Sequence, residues 1–285
     1  MAVARAKNFT RAAEELNLSQ PALSRAIQKL EEQVSQPLFE RKPREVVLTD
    51  LGELLLERAR EILNLVDDTF SQLDEAVRHG RVRLGAIPTI APYFLPELFN
   101  DFSRKHENVS VVVLEDTTEN LIKRCSHGEI DLAILALPVI AKYLEVEPLF
   151  DEELLLVLPA GHELATRDEI TASTVGEFPF VMLNEAHCLS ENIESFCRQQ
   201  SVQPLSVERI SQLTTVQELV ALGHGVSVVP QMARRLDDCE RRVYRSFTGE
   251  KPTRTVCMMW NPYRFQNRWV KSLRELLQEQ SRTRR

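Results

Sequence analysis

Apolar residues in the first fifty positions recur at spacings typical of short amphipathic helices. The pattern predicts a helix over 9–16, a turn over 17–19 and a second helix over 20–30. Ser19 is placed to cap the second helix, and Pro21 falls in its first turn, where a missing N–H costs little. The residues expected to form the core shared by these helices are Ala12, Ala13, Leu16, Leu18, Leu23, Ile27 and Leu30.

The second helix carries a polar outward face whose side-chain types can read base edges and phosphates in a major groove. A short wing is expected over 38–48, with basic residues at its tip that can contact phosphates. A helical hairpin with a solvated polar face fits the same pattern of the two helices. Together with Ser19 and Pro21, the expected DNA-binding residues are Gln20, Ser24, Arg25, Gln28, Arg41, Lys42 and Arg44.

A long helix is predicted after Asp50, because apolar residues recur there at spacings of three and four up to Val77. Further leucines widen the apolar surface beyond what one neighbouring domain would cover. This width favours pairing with a second copy over a solitary surface helix. A dimer would present two recognition helices to inverted-repeat DNA.

Strand and helix patterns alternate from residue 81 onward, which indicates α/β architecture. Helices are expected over 93–105 and 117–126. The strands are predicted over 82–87, 109–115, 131–136, 154–158, 180–183 and 225–230.

Two cysteines, Cys188 and Cys197, lie nine residues apart in a stretch that reads as an amphipathic helix. On a continuous helix their Cα atoms would be roughly 13 Å apart, whereas a disulfide requires about 7 Å or less. The two thiols could therefore join only if the helix between them unwinds, as in a redox switch. The alternative is that both are small buried apolar residues, which is the commoner fate of an intracellular cysteine.

Composition limits the classes of function. A chain of 285 residues predicts two or three domains, and its net charge of -7 argues against a uniformly basic nucleic-acid coat protein. The sequence contains neither a membrane-length apolar run nor a signal peptide, so a cytoplasmic location is expected. Five cysteines fit reduced thiols better than a disulfide scaffold, and nothing in their spacing predicts a metal or a cofactor.

The segment FTRAAEELNLSQPALSRAIQKLEEQVSQPLFER, followed by LTDLG, resembles the winged helix-turn-helix of LysR-type transcriptional regulators. Its first helix looks shorter than is usual in that family, which suggests a clipped start. The resemblance implies an all-α winged helix-turn-helix over 1–48, a dimerising linker helix over 49–79 and an α/β effector domain over 80–285. The effector domain would comprise two periplasmic-binding-protein-like subdomains, the first formed by 80–150 and 252–285 and the second by 151–251.

Within the family, the segments GAIPTIAPYFLP, DLAILAL, EPLFDEELLL and HCL resemble peroxide-sensing members. The resemblance implies that Cys188 reacts with peroxide and Cys197 resolves it. It also places His187, Thr89 and Thr118 in a peroxide pocket, although His187 fits a structural role equally well. Ser190 stands where well-known members carry an arginine. A position at a helix N-terminus beside an imidazole would lower the pKa of Cys188.

The remaining thiols carry weaker signals. Periodicity predicts that Cys125 faces the core of a helix and that Cys257 lies in a strand, so both are expected to be structural. Cys239 lies in a charged segment and is expected to be exposed.

Three functions are compatible with these features. The first is a peroxide-responsive regulator that controls oxidative-stress genes as an activator, with double-stranded DNA, hydrogen peroxide, a dimer or tetramer of itself and RNA polymerase as partners. The second is a LysR-type regulator that binds a small metabolite between its subdomains. The third is a thiol peroxidase or cysteine hydrolase using Cys188 and His187, which would leave the first forty residues unexplained.

Overall fold

A computed structural model describes five stretches of the chain, which are residues 1–42, 46–74, 80–184, 188–200 and 205–283. The chain forms two compact units, 1–71 and 72–285. No helix of the described stretches is long and apolar enough to span a bilayer.

The first unit begins with three helices: α1 (Ala2–Ala6), α2 (Phe9–Glu15) and α3 (Gln20–Val34). Ser19 caps α3, because its side chain accepts a hydrogen bond from the Ala22 amide at 3.4 Å. The predicted helix-turn-helix and its cap are confirmed.

The small core of this unit differs from the prediction at three leucines, of which Leu30 is half-buried and does not belong to it. Leu16 and Leu18 are 46% and 50% exposed, so their assignment to the core was wrong. The reason is that α2 ends at Glu15 and the chain turns at Asn17 in a left-handed conformation, with φ of 54°. Helical periodicity therefore does not extend across the turn. The buried core consists of Val3, Phe9, Ala12, Ala13 and Leu23, with Ile27 packed against it.

A wing follows the three helices. Strands β1 (Phe39–Arg41) and β2 (Val46–Leu48) pair antiparallel, and the ring of Phe39 packs edge-on against Phe9 at 5.9 Å. Lys42 is exposed beyond β1. Arg44 and the side chain of Arg41 lie outside the described part of the structure.

Helix α4 (Asp50–Asp74) is the predicted long helix. Its 25 residues correspond to about 37 Å at 1.5 Å per residue. Several large apolar side chains on it are exposed in the single chain, which fits a surface that a second helix covers. These are Leu54, Ile62, Leu63, Leu65, Val66 and Phe70.

The second unit is α/β, as predicted. Its large sheet has the strand order β10-β6-β11-β5-β3-β4, with β9 paired to β6, while β7 and β8 form a separate parallel pair. The strands are β3 (Gly80–Ala86), β4 (Val109–Glu115), β5 (Leu132–Ala136), β6 (Glu145–Pro159), β7 (Pro179–Leu183), β8 (Leu205–Ile210), β9 (Ser227–Pro230), β10 (Arg242–Arg245) and β11 (Thr253–Trp260).

Helices cover these strands. In addition to one 3-10 turn at Glu163–Ala165, they are α5 (Ala91–Lys105), α6 (Thr118–Ser126), α7 (Ala172–Val175), α8 (Cys188–Gln199), α9 (Leu213–Ala221), α10 (Gln231–Arg235) and α11 (Arg268–Thr283).

Strand β6 is much longer than the segment 154–158 predicted for it. Acidic residues in its first half, among them Asp151 and Glu152, hide the strand pattern in the sequence. Pairing with β11 over Glu145–Glu153 nevertheless holds this half in the sheet. The strand therefore passes from one hydrophobic core to another.

Two separate cores fill the second unit. The first contains Leu84, Phe94, Ile134 and Met258 among others, and the second contains Val181, Leu189, Val228 and Phe247 among others. Strand β6 contributes residues to both cores, so the candidate site described below lies where the two cores meet.

Candidate redox site

The two cysteines singled out by spacing lie on one continuous helix, α8. Nine residues of helical rise separate their Cα atoms by roughly 13 Å, and both thiols are free. Within the second unit, Cys188 packs against the first core, whereas Cys197 is a buried member of the second core. Joining them therefore requires α8 to unwind and at least one thiol to leave its core.

The environment of Cys188 combines opposing effects. Burial raises the pKa of the Cys188 thiol above its ordinary value, and this effect exceeds the lowering by the Arg254 cation, the Thr118 hydroxyl and the backbone amides of Cys188 and Leu189. The expectation of a lowered pKa was therefore wrong in direction. The helix N-terminus does act on the sulfur as expected, but desolvation outweighs it. His187 lies outside the described residues.

The charged residue that acts on the Cys188 thiol is Arg254. It was not predicted from the sequence. Its side chain is fully buried, and Nε donates to Glu152 Oε2 at 2.9 Å. Nη1 donates to Thr89 Oγ1 at 2.9 Å and Nη2 to the Thr89 carbonyl at 3.1 Å. Glu152 Oε1 in turn accepts from the Met232 amide. The guanidinium is thus held in a fixed position beside the thiol.

Thr89 and Thr118 occupy different places around this group. Thr89 is buried, and its hydroxyl accepts from Arg254. Thr118 opens α6, and its buried Oγ1 approaches Cys188 closely enough to lower the thiol pKa without completing a well-aligned hydrogen bond. The two predicted threonines therefore lie near Cys188, one directly and one through Arg254.

Ser190 anchors the first turn of α8. Its buried hydroxyl donates to the Leu183 carbonyl at 2.8 Å, with the Asn184 carbonyl at 3.0 Å as a second acceptor. Both carbonyls belong to the end of β7 and the residue after it. Ser190 therefore fixes the start of the helix that carries Cys188.

Replacing Ser190 by alanine is expected to lower the free energy of unfolding by about 1–3 kcal/mol, because the buried Leu183 carbonyl and the partly buried Asn184 carbonyl lose this donor. Urea unfolding of the full chain measures this change. Ser195→Ala, on the same helix, is the matched control and is expected to change stability by less than about 0.5 kcal/mol. Equal effects of the two substitutions would contradict the anchoring role of Ser190.

The surroundings of Cys197 are apolar. Burial, together with the nearby Glu194 carboxylate, raises the pKa of Cys197 to about 11. Phe196 contacts Phe247 edge-on at 5.4 Å, and a small apolar void adjoins the sulfur, bordered by Val175 and Phe180. Cys197 is therefore protected from reaction while α8 remains folded.

The other thiols follow their predictions in part. Cys125 and Cys257 are fully buried, and burial raises the pKa of each to about 12. Cys239 is half-buried rather than fully exposed, since its amide is tied to Asp237 Oδ1 at 3.1 Å. The full burial of Cys125 and Cys257 agrees with structural roles for both.

The predicted DNA-reading side chains lie on one helix of the first unit. Gln20, Arg25 and Gln28 are exposed on α3, and Ser24 is partly exposed. Gln20 Nε2 donates to Ser24 Oγ at 2.8 Å, and Gln28 Nε2 to Glu32 Oε1 at 3.3 Å. Such one-turn bonds are weak, so these amides remain available for base edges.

Comparison with known proteins identifies both units. Residues 1–53 match the bacterial regulatory helix-turn-helix protein model of the lysR family, and residues 75–282 match the LysR substrate binding domain. The chain is 32% identical over 270 residues to a hydrogen peroxide-inducible genes activator of Dickeya chrysanthemi, covering 92% of this chain and 87% of that protein. It is 30% identical to the DNA-binding transcriptional dual regulator OxyR of Escherichia coli K12, with the same coverage.

Solved structures agree with this assignment. A full-length OxyR from Pseudomonas aeruginosa, with one cysteine replaced by aspartate, superposes with a TM-score of 0.76 at 29% identity, covering 99% of this chain and 91% of that one. An H2O2-bound cysteine-to-serine mutant of Corynebacterium glutamicum OxyR gives a TM-score of 0.68 at 28% identity, covering 99% and 90%. CbnR bound to its target DNA shares the fold, with a TM-score of 0.77 at 20% identity.

These matches exclude the third candidate function, because the family consists of transcriptional regulators rather than enzymes. The chain therefore belongs to the LysR family of bacterial transcriptional regulators, with a helix-turn-helix unit and an α/β substrate-binding domain.

Proposed function

We propose that this regulator senses hydrogen peroxide through Cys188 and Cys197 and activates oxidative-stress genes in the cytoplasm. The observation that carries the proposal is the placement of two free thiols in two different cores at opposite ends of one helix. The names of its relatives, which include peroxide-inducible activators, agree with this chemistry.

The reaction proceeds in two balanced steps. The Cys188 sulfur attacks one oxygen of hydrogen peroxide, the O–O bond breaks, and the thiol becomes a sulfenic acid while water leaves. The Cys197 thiol then attacks this sulfenic sulfur, an S–S bond forms, and a second water leaves. Since α8 separates the two sulfurs, the second step couples oxidation to unwinding of the helix.

Loss of α8 has a large structural consequence. Ile193 and Phe196, which are buried in the second core, lie between the two thiols or beside Cys197. Unwinding withdraws them from that core, and burial of one such side chain contributes about 1.5–3 kcal/mol. Packing of these side chains therefore stabilises the folded α8 of the reduced form. The disulfide stabilises the unwound segment instead.

The experiment that tests the proposal is a count of free thiols with peptide mapping, before and after one equivalent of peroxide. The expected result is loss of two thiols and a new Cys188–Cys197 peptide pair. Retention of five thiols, or a linkage between other cysteines, would contradict it.

The same proposal assigns DNA binding to the winged helix-turn-helix as a dimer or tetramer on inverted repeats. The exposed apolar side chains of α4, such as Phe70, and the exposed amides of α3 support it. RNA polymerase is a further partner in this proposal, since an activator acts through it.

Gln28→Ala is expected to weaken binding to a specific inverted-repeat duplex about tenfold, because a bidentate amide contact contributes about 1–3 kcal/mol. The duplex is one selected from a random-sequence library by the unmodified chain, and fluorescence anisotropy measures the affinity. Gln33→Ala, also exposed on α3, is the matched control and is expected to bind normally. An unchanged affinity for Gln28→Ala would remove Gln28 from the reading face.

A further inference from the structure

Cys257 is buried in the first core, and strand pairing sets the direction of its side chain. Residues that are directly opposite each other on neighbouring strands point to the same face of a sheet. Gly85 of β3 pairs with Ala133 of β5, and Ala133 pairs with Met259 of β11, two residues beyond Cys257. Because side chains alternate along a strand, Cys257 points to the same face as Gly85.

Helix α6 covers this face of the sheet. A Cβ atom added at Gly85 would lie 2.7 Å from Leu121 Cδ2 on α6, so the glycine faces that helix. The end of α6 lies at the end of β11, since Asn261 Nδ2 donates to the Ser126 carbonyl at 3.1 Å. Cys257 therefore lies on the side of the sheet where α6 packs.

The first turn of α8 lies at the same edge of the sheet as Cys257. Asn192, one helical turn after Cys188, donates through Nδ2 to the Leu137 carbonyl at 3.2 Å. Leu137 follows β5 and is two residues beyond the strand partner of Cys257. Cys188 itself packs against the first core, in which Cys257 is buried.

Electrostatics agrees with this placement. Burial is the larger cause of the raised pKa of Cys257, and the Cys188 thiol is the next. Charge interactions weaken with distance, so an effect of one sulfur on the other indicates that the two thiols are neighbours. The Thr118 hydroxyl at the start of α6 acts on Cys188 as well, which places this thiol on the α6 side of the sheet.

Two thiols can therefore meet a sulfenic acid at Cys188, and they differ in what they require. Cys197 reaches it only after α8 unwinds, whereas Cys257 is buried in the core against which Cys188 already packs. Unwinding exposes Cys197 to water and favours its thiolate, so Cys197 reacts first in the unmodified chain. Cys257 stays buried, which makes it the slower nucleophile.

We propose that Cys257 is a reserve resolving thiol, which forms a disulfide with Cys188 on the folded α8 when Cys197 cannot react. This inference rests on the proposed function, which supplies the sulfenic acid. The Cys257 sulfur attacks the Cys188 sulfur, the S–O bond breaks, and the thiol proton leaves with the hydroxyl group as water. The disulfide prevents a second peroxide from oxidising the sulfenic acid to a sulfinic acid. Because α8 stays folded, this oxidised form does not adopt the switched conformation.

The test uses the full chain with Cys197→Ser, which retains four of the five cysteines. After one equivalent of peroxide, peptide mapping is expected to show a Cys188–Cys257 pair and the loss of two free thiols. Hydrogen exchange of the 189–199 amides is expected to stay at the level of the reduced chain. Adding Cys257→Ala is expected to abolish the pair, so that dimedone labels Cys188 and excess peroxide converts it to a sulfinic acid.

Cys125→Ala removes another buried thiol of the same core and is the matched control in the Cys197→Ser chain, where the pair should persist. If Cys257→Ala fails to fold, Cys257→Val replaces it. A dimedone adduct at Cys188 without the pair in the Cys197→Ser chain, a Cys188–Cys125 linkage, or faster exchange of the α8 amides when the pair forms would overturn the inference. Retention of all four thiols without a dimedone adduct would instead overturn the proposed function.

Discussion

Replacing Cys188 by serine is expected to abolish the response to peroxide, with no disulfide formed and no peroxide-dependent change in transcription from a target promoter. The physical reason is that a serine hydroxyl cannot be oxidised by peroxide to the species that condenses with Cys197. In vitro transcription with and without peroxide, together with thiol mapping, measures the effect. DNA binding by the reduced protein should persist, because α3 is in the other compact unit.

Cys239→Ser provides the matched control for this substitution. Cys239 is the other cysteine that is half-buried rather than buried, and its replacement should leave the peroxide response intact. A Cys188→Ser chain that still responds to peroxide would refute thiol sensing at this position. If that chain instead responds to a small metabolite, the second candidate function would replace the proposal.

Replacing Arg254 by leucine is expected to lower the free energy of unfolding by about 3–5 kcal/mol, because it leaves the Glu152 carboxylate buried without its cation. The matched control is Lys251→Leu, which removes a surface ion pair to Glu153 and should cost about 1 kcal/mol or less. Denaturant unfolding distinguishes the two. A cost for Arg254→Leu no larger than for the control would contradict the role of the buried pair.

The same substitution should also change the thiol. Arg254 lowers the pKa of Cys188 against the effect of burial, so removing the cation should raise that pKa further. Less thiolate is then present at neutral pH, and alkylation of Cys188 by iodoacetamide should need a higher pH to reach half its maximal rate. Arg254→Lys keeps a positive charge and is expected to shift the profile less. An unchanged pH profile in Arg254→Leu would show that the cation does not act on the thiol.

Local features of the fold could be predicted because their causes are local. The cap at Ser19 and the proline at Pro21 define the start of α3 wherever the chain places it. The apolar spacing around Cys188 and Cys197 likewise defines α8 without reference to its neighbours. The assignment of Leu16 and Leu18 to the core failed because it carried a helical period across a turn.

The contacts of the site could not be predicted in the same way. Arg254 pairs with Glu152 from a strand about a hundred positions away, and strand register sets these two residues opposite each other. An arginine just before the apolar run VCMMW of this strand was the signal in the sequence that could have pointed to it, since a buried charge requires a partner.

The sequence by itself determined the helix-turn-helix, the alternation of strands and helices, and the nine-residue separation of two thiols on one helix, because each depends on spacing along the chain. Tertiary structure alone decided that the two thiols belong to different cores, that Arg254 stands beside Cys188, and that burial raises the pKa of that thiol. Desolvation and charge pairing arise only when distant segments are packed together, and no local pattern encodes their balance.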